Sequence, residues 1–328
     1  MGQLTHGRLF ELALALGLGF GSSLGGGCFS SSAQAQVAPP ELVATQISPS
    51  GYLVQGRTEL GSFANRNFIS NAGFIVLPRS VVVVDALGSP ELARRLIALV
   101  RSITPRPITH VIVTHYHADH IYGLQEFRAI GARIVAHRAA QAYLGSEAAR
   151  TRLEASRLEL APWVNSETQL TTPDLWLDSE THWTVDGVAL HIKPVGPAHT
   201  AEDTVVYLPS EKLLFAGDLV FRARIPFVGQ ADSRQWIKSL DALLALDPHV
   251  IVPGHGPASK AAREDMQLTR DYLLHLRASM GPAAKNMDPF EDAYQATDWR
   301  KFEALPLFKQ ANRMNAYNTY LLMEREGR

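Results

Sequence analysis

The feature that most constrains this chain is the segment 114–120, Thr-His-Tyr-His-Ala-Asp-His, which ends an apolar run predicted to be a strand. Residues two apart in an extended segment point the same way, so we expect His115, His117 and Asp119 to converge on one side. The turn into a following helix then brings His120 round to them. Imidazole and carboxylate groups at this density are metal ligands, and they serve one metal ion or begin a site for two.

Three further candidate ligands follow in order. They are His199 in Gly-Pro-Ala-His-Thr, Asp218 in Phe-Ala-Gly-Asp and His255 in Val-Pro-Gly-His-Gly. Each is predicted in a loop at the end of a strand, beside a glycine or proline that fixes the backbone, and enzyme sites usually collect there. Any one of them alone fits a turn equally well. Together, behind the first cluster, they predict one metal centre.

Strands and helices are predicted to alternate between residues 74 and 252. Short apolar runs predict strands over 74–77, 81–84, 108–114, 132–136, 188–195, 204–208, 212–216 and 250–252, after a loop over 39–55 that enters a first strand. Helical spacing predicts helices over 90–103, 122–130, 141–160 and 233–246. Hairpins combined with crossovers indicate mixed sheets with helices on their outer faces, an α+β fold.

The pattern changes to helix without strands beyond about Ala261. A helix is predicted over 261–279, a loop over 281–289 and further helix over 290–328. We expect a C-terminal helical extension that packs on the core through its large aromatic residues, Trp299, Phe302, Phe308, Tyr317 and Tyr320. The predicted organisation is therefore a signal peptide over 1–35, a catalytic domain over 36–260 and the extension over 261–328.

The amino end has the pattern of an export signal. Arg8 precedes an apolar run over 9–20, and the small-residue site Ala-Gln-Ala follows at 33–35. The run is too short and too rich in glycine to favour a permanent membrane span, so none is expected in the mature form.

Charge excludes one class of partner. The 31 basic and 32 acidic residues nearly cancel, and no long run of one sign occurs. A nucleic-acid-binding surface needs a basic patch. We therefore expect a small-molecule substrate and no nucleic acid.

With Asp85 after an early apolar strand, these motifs resemble those of the metallo-β-lactamase superfamily, in the same order, over residues 71–259. The resemblance implies a four-layer αββα sandwich around two zinc ions. It implies that one zinc is held by His115, His117 and His199, the second by Asp119, His120 and His255, and both by a bridging Asp218. Asp85 is implied to position ligands without binding metal itself.

Within the superfamily, the region 196–218 is similar to that of β-lactamases with a cysteine ligand, but Asp218 stands where those enzymes have the cysteine. Phe221 stands where they have a lysine that holds the carboxylate of the drug. The metal set instead resembles that of glyoxalase-type thioesterases and lactonases. The segments 216–257 and 312–317 are similar to the exported zinc metallohydrolases of the quinoprotein relay system, which implies an exported quinoprotein as a possible partner.

The function expected from these residues is hydrolysis of an ester, thioester, lactone or amide-like bond. Two cations about 3.5–4 Å apart would share a water molecule and lower its pKa towards 7, which yields a bridging hydroxide as nucleophile. Asp119 and Asp218 are the predicted catalytic residues, with Asp119 orienting the hydroxide or passing a proton. Arg222 and Arg224 are candidates to attract an anionic substrate. Zinc is expected in the site, with iron or manganese as alternatives.

Three other functions also fit these residues. β-Lactamase activity is one. Another is an iron-dependent sulfur dioxygenase on the same fold, whereas His117 argues against a di-iron oxygen reductase, which has a glutamate at that point. The third is a non-catalytic, metal-stabilised binding partner of a quinoprotein.

We predict that the mature protein begins near Gln36 and lies in the periplasm, because cleavage after the small-residue site removes the apolar run. Cys28, the single cysteine, lies inside the predicted signal, and the segment 24–28 resembles a lipoprotein processing site. Amino-terminal sequencing of the exported protein distinguishes the two. A mature chain that begins at a lipid-modified Cys28 contradicts the prediction.

Overall fold

Two β-sheets packed face to face form the centre of the protein in the computed structural model, which describes residues 41–327. The predicted signal segment, including Cys28, lies outside the described residues. Within 41–327, no helix has the length and apolar character needed to cross a bilayer.

The first sheet has seven strands in chain order. They are β1 (Ala44–Gln46), β2 (Gly51–Val54), β3 (Ala72–Val76), β4 (Val81–Val84), β5 (Ile108–Ile112), β6 (Arg133–His137) and β7 (Leu175–Leu177). The strands β1 to β4 pair antiparallel, and β4 to β7 pair parallel. The carboxyl end of β5 therefore lies beside those of β4 and β6.

The second sheet has five strands. They are β8 (Thr181–Val185), β9 (Val188–Pro194), β10 (Thr204–Leu208), β11 (Leu213–Phe221) and β12 (Val250–His255), in the order β12-β11-β10-β9-β8. A short 3-10 helix, Pro209–Glu211, joins β10 to β11. All neighbours pair antiparallel except β11 and β12, which are parallel. This parallel pair brings Asp218 of β11 close to His255 of β12.

Helices cover the outer faces of both sheets. They are α1 (Pro90–Ile103), α2 (Ala118–Ile121), α3 (Leu124–Ala129), α4 (Ala140–Leu144), α5 (Glu147–Glu159), α6 (Ser233–Leu244), α7 (Ala262–Asn286), α8 (Phe290–Ala296) and α9 (Phe308–Glu326). The helix predicted over 90–103 is α1. It begins as its sequence requires, because Ser89 accepts a hydrogen bond from the amide of Leu92 and Pro90 occupies the first turn.

Alternation along the strands sorts the core into layers. Val81 and Val83 of β4 belong to the cluster that contains α1 and α3, whereas Val82 and Val84 belong to the cluster between the two sheets. The strand β10 divides in the same way between the inter-sheet cluster and a third cluster containing α6, α7 and α9. The layers are thus helices, sheet, sheet and helices, which confirms the predicted α+β sandwich with its C-terminal helices.

Several predicted boundaries are wrong for physical reasons. The predicted loop over 281–289 is helix as far as Asn286, because burial of Ala283 and Ala284 offsets the helix-breaking tendency of Gly281 and Pro282. The helix predicted over 141–160 is broken where Ser146 caps α5, and helix 290–328 is broken between α8 and α9. The 39–55 loop contains the strands β1 and β2, and β7 and β8 were also missed.

The helices after residue 261 pack on the second sheet, α7 against β11 and α6, and α9 along α7. Phe302 is buried beside Tyr272, whereas the Tyr317 side chain remains 44% exposed. The described residues 41–327 belong to one compact unit. The domain boundaries at 35 and 260 stay predictions.

Candidate metal centre

The structure brings all seven predicted ligands together at one edge of the sandwich. His115 and His117 follow β5, Asp119 and His120 lie in α2, His199 lies between β9 and β10, Asp218 lies in β11 and His255 ends β12. Four of these placements differ from the prediction. Asp119 lies in α2 and groups with His120 and His255, not in an extended segment with His115 and His117. The strand predicted to stop at 216 continues past Asp218, β12 extends through His255, and His120 lies inside a helical turn.

Four of the side chains form a first group, His115, His117, His199 and Asp218, whose ligand atoms lie within 4.8 Å of one another. The Nδ1 atom of His117 lies 3.1 Å from Nε2 of His115 and 2.9 Å from Nε2 of His199. Asp218 Oδ2 lies 3.8 Å and 3.4 Å from the same two Nε2 atoms. Three ring nitrogens and one carboxylate oxygen therefore face a common point.

Asp119, His120 and His255 form a second group of three side chains, whose ligand atoms also lie within 4.8 Å of one another. Asp119 Oδ2 lies 3.6 Å from Nε2 of His120 and 3.3 Å from Nε2 of His255. The Asp218 carboxylate also reaches this group, at 3.2 Å from Nε2 of His120 and 3.3 Å from Nε2 of His255. Asp218 thus lies between the two groups, in the position of a bridge.

The hydrogen-bonding state of these atoms fits cations better than protons. A single proton on Nδ1 of His117 cannot serve both facing nitrogens. Among residues 41–327, Nε2 of His120 and Oδ1 of Asp218 are buried and lie 3.2 Å apart, but neither makes a hydrogen bond of acceptable geometry. Such atoms are costly unless something binds them. A set of imidazole nitrogens and carboxylate oxygens suits zinc, and also iron or manganese.

Burial sets the charge of the first group. It lowers the pKa of His115 well below its ordinary value, and burial reinforced by His117 lowers the pKa of His199 to about 3. Both rings are therefore neutral at physiological pH, which is the form that binds metal. Burial alone would raise the pKa of Asp218, but His255 and His120 hold it well below its usual range. Its carboxylate is ionised.

His120 marks the point where positive charge is most favoured. Burial alone would lower its pKa, but the carboxylates of Asp218, Asp119 and Asp85 raise it well above the ordinary value. Three acidic groups around one buried ring attract a positive charge, which here is a proton. A bound cation supplies the same compensation and leaves the ring neutral.

Asp85 fixes the orientation of the ligands from behind. Its Oδ2 accepts hydrogen bonds from Nδ1 of His120 at 2.8 Å and from Oγ1 of Thr114 at 2.8 Å, and its Oδ1 accepts from the Thr114 amide at 2.8 Å. Oγ1 of Thr114 in turn lies 3.0 Å from Nδ1 of His115. With Nδ1 engaged on both rings, each Nε2 faces the centre.

This geometry is accompanied by a family match over residues 65–255, to the family described as the metallo-beta-lactamase superfamily. The chain belongs to that superfamily. The predicted family is thereby confirmed, while the narrower resemblance to the quinoprotein relay proteins stays a prediction.

Similar proteins agree with this placement. The chain is 29% identical over 177 residues to the 2,4-dinitroanisole O-demethylase subunit alpha of Nocardioides sp. (strain JS1661), covering 53% of this chain and 49% of that protein. It is 30% identical over 204 residues to the metallo-beta-lactamase type 2 of Bacillus cereus, covering 61% of this chain and 72% of that protein. The chain thus spans about half the length of the demethylase subunit.

The fold itself is similar to that of a metallo-beta-lactamase from Pontibacter korlensis, with a TM-score of 0.56 and 23% identity. The likeness covers 71% of this chain and 99% of that one. It shows the common sandwich.

The backbones of β11 and β12 approach each other closely at the metal centre. A Cβ atom at Gly254 would lie 1.9 Å from Oδ1 of Asp218, so only glycine lets the two strands approach so closely. The buried Asn71 side chain donates hydrogen bonds to the carbonyl groups two residues before and one residue after His255, at 2.8 Å and 2.7 Å. Sequence reasoning missed Asn71, because an asparagine beside a strand carries no motif.

Two buried acidic residues hold the His199 loop. Glu202 accepts a hydrogen bond from the amide of Tyr116 at 3.1 Å, which ties this loop to the histidine segment. Asp203 accepts from the amide and hydroxyl of Thr200 at 2.8 Å and 2.7 Å, and burial raises its pKa to about 8. The sequence signal that could have found them is an acidic pair directly before an apolar strand.

A cavity of about 630 Å³ lies over the centre, and its lining includes Asp119, Asp218 and His255. The two predicted anion-binding arginines differ here. Arg222 forms an ion pair with Asp265 at 3.0 Å and does not line the cavity, whereas the buried Arg224 does. Phe221 is also buried and stacks on the ring of His255, with ring centroids 5.2 Å apart.

We predict that Asp85→Asn lowers zinc affinity by roughly tenfold to a hundredfold, as loss of a carboxylate behind a ligating histidine does. The reason is that the amide carries no charge to hold Nδ1–H of His120. Asparagine tolerates the positive φ of 63° at this position, so the backbone is kept. Competition with a chromophoric chelator measures the affinity.

Asp247→Asn is the matched control, because Asp247 also has a positive φ, 46°, but its side chain is 71% exposed and remote from the ligands. Its zinc affinity should equal that of the unmodified protein. Equal affinities for all three proteins would show that Asp85 does not position the ligands.

Proposed function

We propose that this chain is an exported hydrolase with two zinc ions that cleaves an ester, thioester, lactone or amide-like bond. The observation that carries the proposal is the place of Asp218, whose carboxylate lies within 3.8 Å of ring nitrogens from both ligand groups. A carboxylate shared in this way holds two cations at the separation that dinuclear hydrolases use. Export rests on the sequence of residues 1–35 alone.

The roles of the side chains follow from the two groups. His115, His117 and His199 would hold one ion, Asp119, His120 and His255 the other, and Asp218 both. When bound, such cations lower the pKa of a water molecule to about 7 and polarise the bond to be cleaved.

Asp119 would orient the attacking water. It lines the cavity, and its side chain is 17% exposed. Burial alone would raise its pKa, but His120 and His255 lower it below its ordinary value, so the carboxylate is ionised and accepts a hydrogen bond from water. Accepting a proton and returning it to the leaving group is a role that this position allows.

The similar proteins do not identify which bond this chain cleaves. One is named a metallo-beta-lactamase and another a subunit of an O-demethylase, so the superfamily fold serves more than one chemistry. A screen of thioesters, lactones, phosphoesters and a cephalosporin, after metal analysis of the purified protein, tests the proposal. Iron in place of zinc favours the sulfur dioxygenase alternative, and inactivity throughout the screen favours the binding partner of a quinoprotein.

We predict slow turnover of a chromogenic cephalosporin, below about 1 per second, which is low for an enzyme acting on its own substrate. The reasons are Asp218 in place of a cysteine ligand and Phe221 in place of a lysine, since the buried phenyl ring offers no charge to a drug carboxylate. Initial rates at saturating cephalosporin measure this. Faster turnover would show that these two departures do not limit β-lactam hydrolysis.

We predict that Asp218→Asn loses one of two bound metal ions and most of the hydrolytic activity. The amide keeps the shape of the side chain but removes the negative charge between two cations, which then repel each other with less compensation. The measurement is metal content per chain, together with the rate on the best substrate of the screen.

His199→Ala is the comparison, because it removes one ligand of one ion and leaves the shared charge in place. We expect it to reduce metal content less than Asp218→Asn does. If both variants kept two ions and a normal rate, the ligand assignment would be wrong.

A further inference from the structure

One wall of the cavity is irregular backbone. Arg224, Phe227 and Gln230 line the cavity, and the segment that carries them has no helix or strand between the end of β11 and α6. Ala223 has a positive φ of 55°, which is uncommon for a residue with a side chain. Such a segment keeps one conformation only where its polar groups are bonded elsewhere.

The C-terminal extension supplies these bonds. Asn315 of α9 accepts a hydrogen bond from the amide of Val228 at 2.9 Å and donates one to the carbonyl of Pro226 at 2.7 Å. The amide of Ile225 donates to the carbonyl of Pro306 at 3.0 Å. Asn315 is fully buried, and its Nδ2 also donates a hydrogen bond to the hydroxyl of Tyr272 at 3.0 Å, which fixes the amide group between α7 and this segment.

The guanidinium of Arg224 lies 5.6 Å from the centroid of the Phe221 ring and forms no ion pair with another described residue, although the carboxylates of Asp218 and Asp119 attract it from a longer distance. Its side chain contacts the carbonyl of Ile225 at 3.4 Å and Nδ1 of His255 at 3.2 Å, and none of the ion pairs among residues 41–327 includes it. Nδ1 of His255 also lies 2.8 Å from the carbonyl of Ile69. If Nε2 of His255 binds metal, Nδ1 carries the proton, donates it to Ile69 and cannot accept from Arg224. A buried guanidinium with free N–H donors then lines the cavity.

We propose that the C-terminal extension completes the substrate pocket, with Asn315 holding the 225–228 segment so that Arg224 binds an anionic group of the substrate. The inference rests on the proposed function, because the anionic group lies beside a metal-bound reacting group. It assigns the substrate class, an ester, thioester or related compound that carries a carboxylate or a similar anion. Planar carboxylates suit the fork of a guanidinium.

The test uses two thiols of nearly equal shape, mercaptoacetate and mercaptoacetamide, titrated calorimetrically into the zinc-loaded full chain. Both bind zinc through sulfur, but only mercaptoacetate offers a carboxylate. The ratio of the two dissociation constants is measured within each variant, so partial unfolding affects both thiols alike. The ratio is the dissociation constant of mercaptoacetamide divided by that of mercaptoacetate, and each variant is compared with the unmodified protein, because the thiol acidities and any chelation of zinc by the carboxylate contribute equally to all of them.

Arg224→Gln should reduce this ratio about tenfold, while Arg224→Lys keeps part of it. Asn315→Ala should reduce the ratio severalfold without removing the metal ions. Asn312→Ala is the matched control, since Asn312 is a buried asparagine of α9 that bonds Tyr272 and Tyr294 but not the 225–228 segment. It should keep the ratio of the unmodified protein.

An unchanged ratio in Arg224→Gln would overturn the anion site, and equal ratios in Asn315→Ala and Asn312→Ala would overturn the role of the extension. Both results leave the zinc centre standing, because mercaptoacetamide still binds. Failure of both thiols to bind the zinc-loaded protein would instead count against the proposed function, and the inference would fail with it.

Discussion

The face-to-face packing of the two sheets is the constraint on which the site depends. Strand residues of both sheets fill the space between them, among them Val82, Ile112, Phe215 and Val252. A close-packed interior resists small displacements, so this cluster fixes the end of β5 relative to the ends of β11 and β12. Ligands from the two halves of the chain therefore meet at one edge.

The same burial that positions the ligands makes them costly as free groups. Imidazoles and carboxylates with little solvent must compensate one another, and the structure shows this in the raised pKa of His120 and the lowered pKa of Asp218. Metal binding and local folding are consequently coupled, because cations remove the unpaired donors and acceptors of the centre. In the absence of metal, the hydrogen bonds of Asp85 to His120 and of Asn71 to the backbone around His255 limit how far these ligands can move.

Sequence reasoning succeeded where the signal is local and failed where it depends on distant contacts. The helix α1 carries its own cap and apolar spacing. The three histidines and one aspartate within residues 115–120 predict metal binding because they are so close together in the sequence. By contrast, α7 continues through Gly281 and Pro282 because tertiary burial outweighs local propensity. Asn71 and Asn315 escaped prediction because their partners lie 182 and 87 residues away.

The contact between Asn315 and the cavity wall can form only after α9 has been synthesised, because Asn315 lies 60 residues beyond His255. A chain made from its amino end has every ligand of the centre once His255 has been added, and long-range contacts form after local ones. The segment beside Arg224 gains its hydrogen bonds to Asn315 only when α9 is present. A nascent or shortened chain could thus gather its metal ligands before Asn315 holds the segment that carries Arg224.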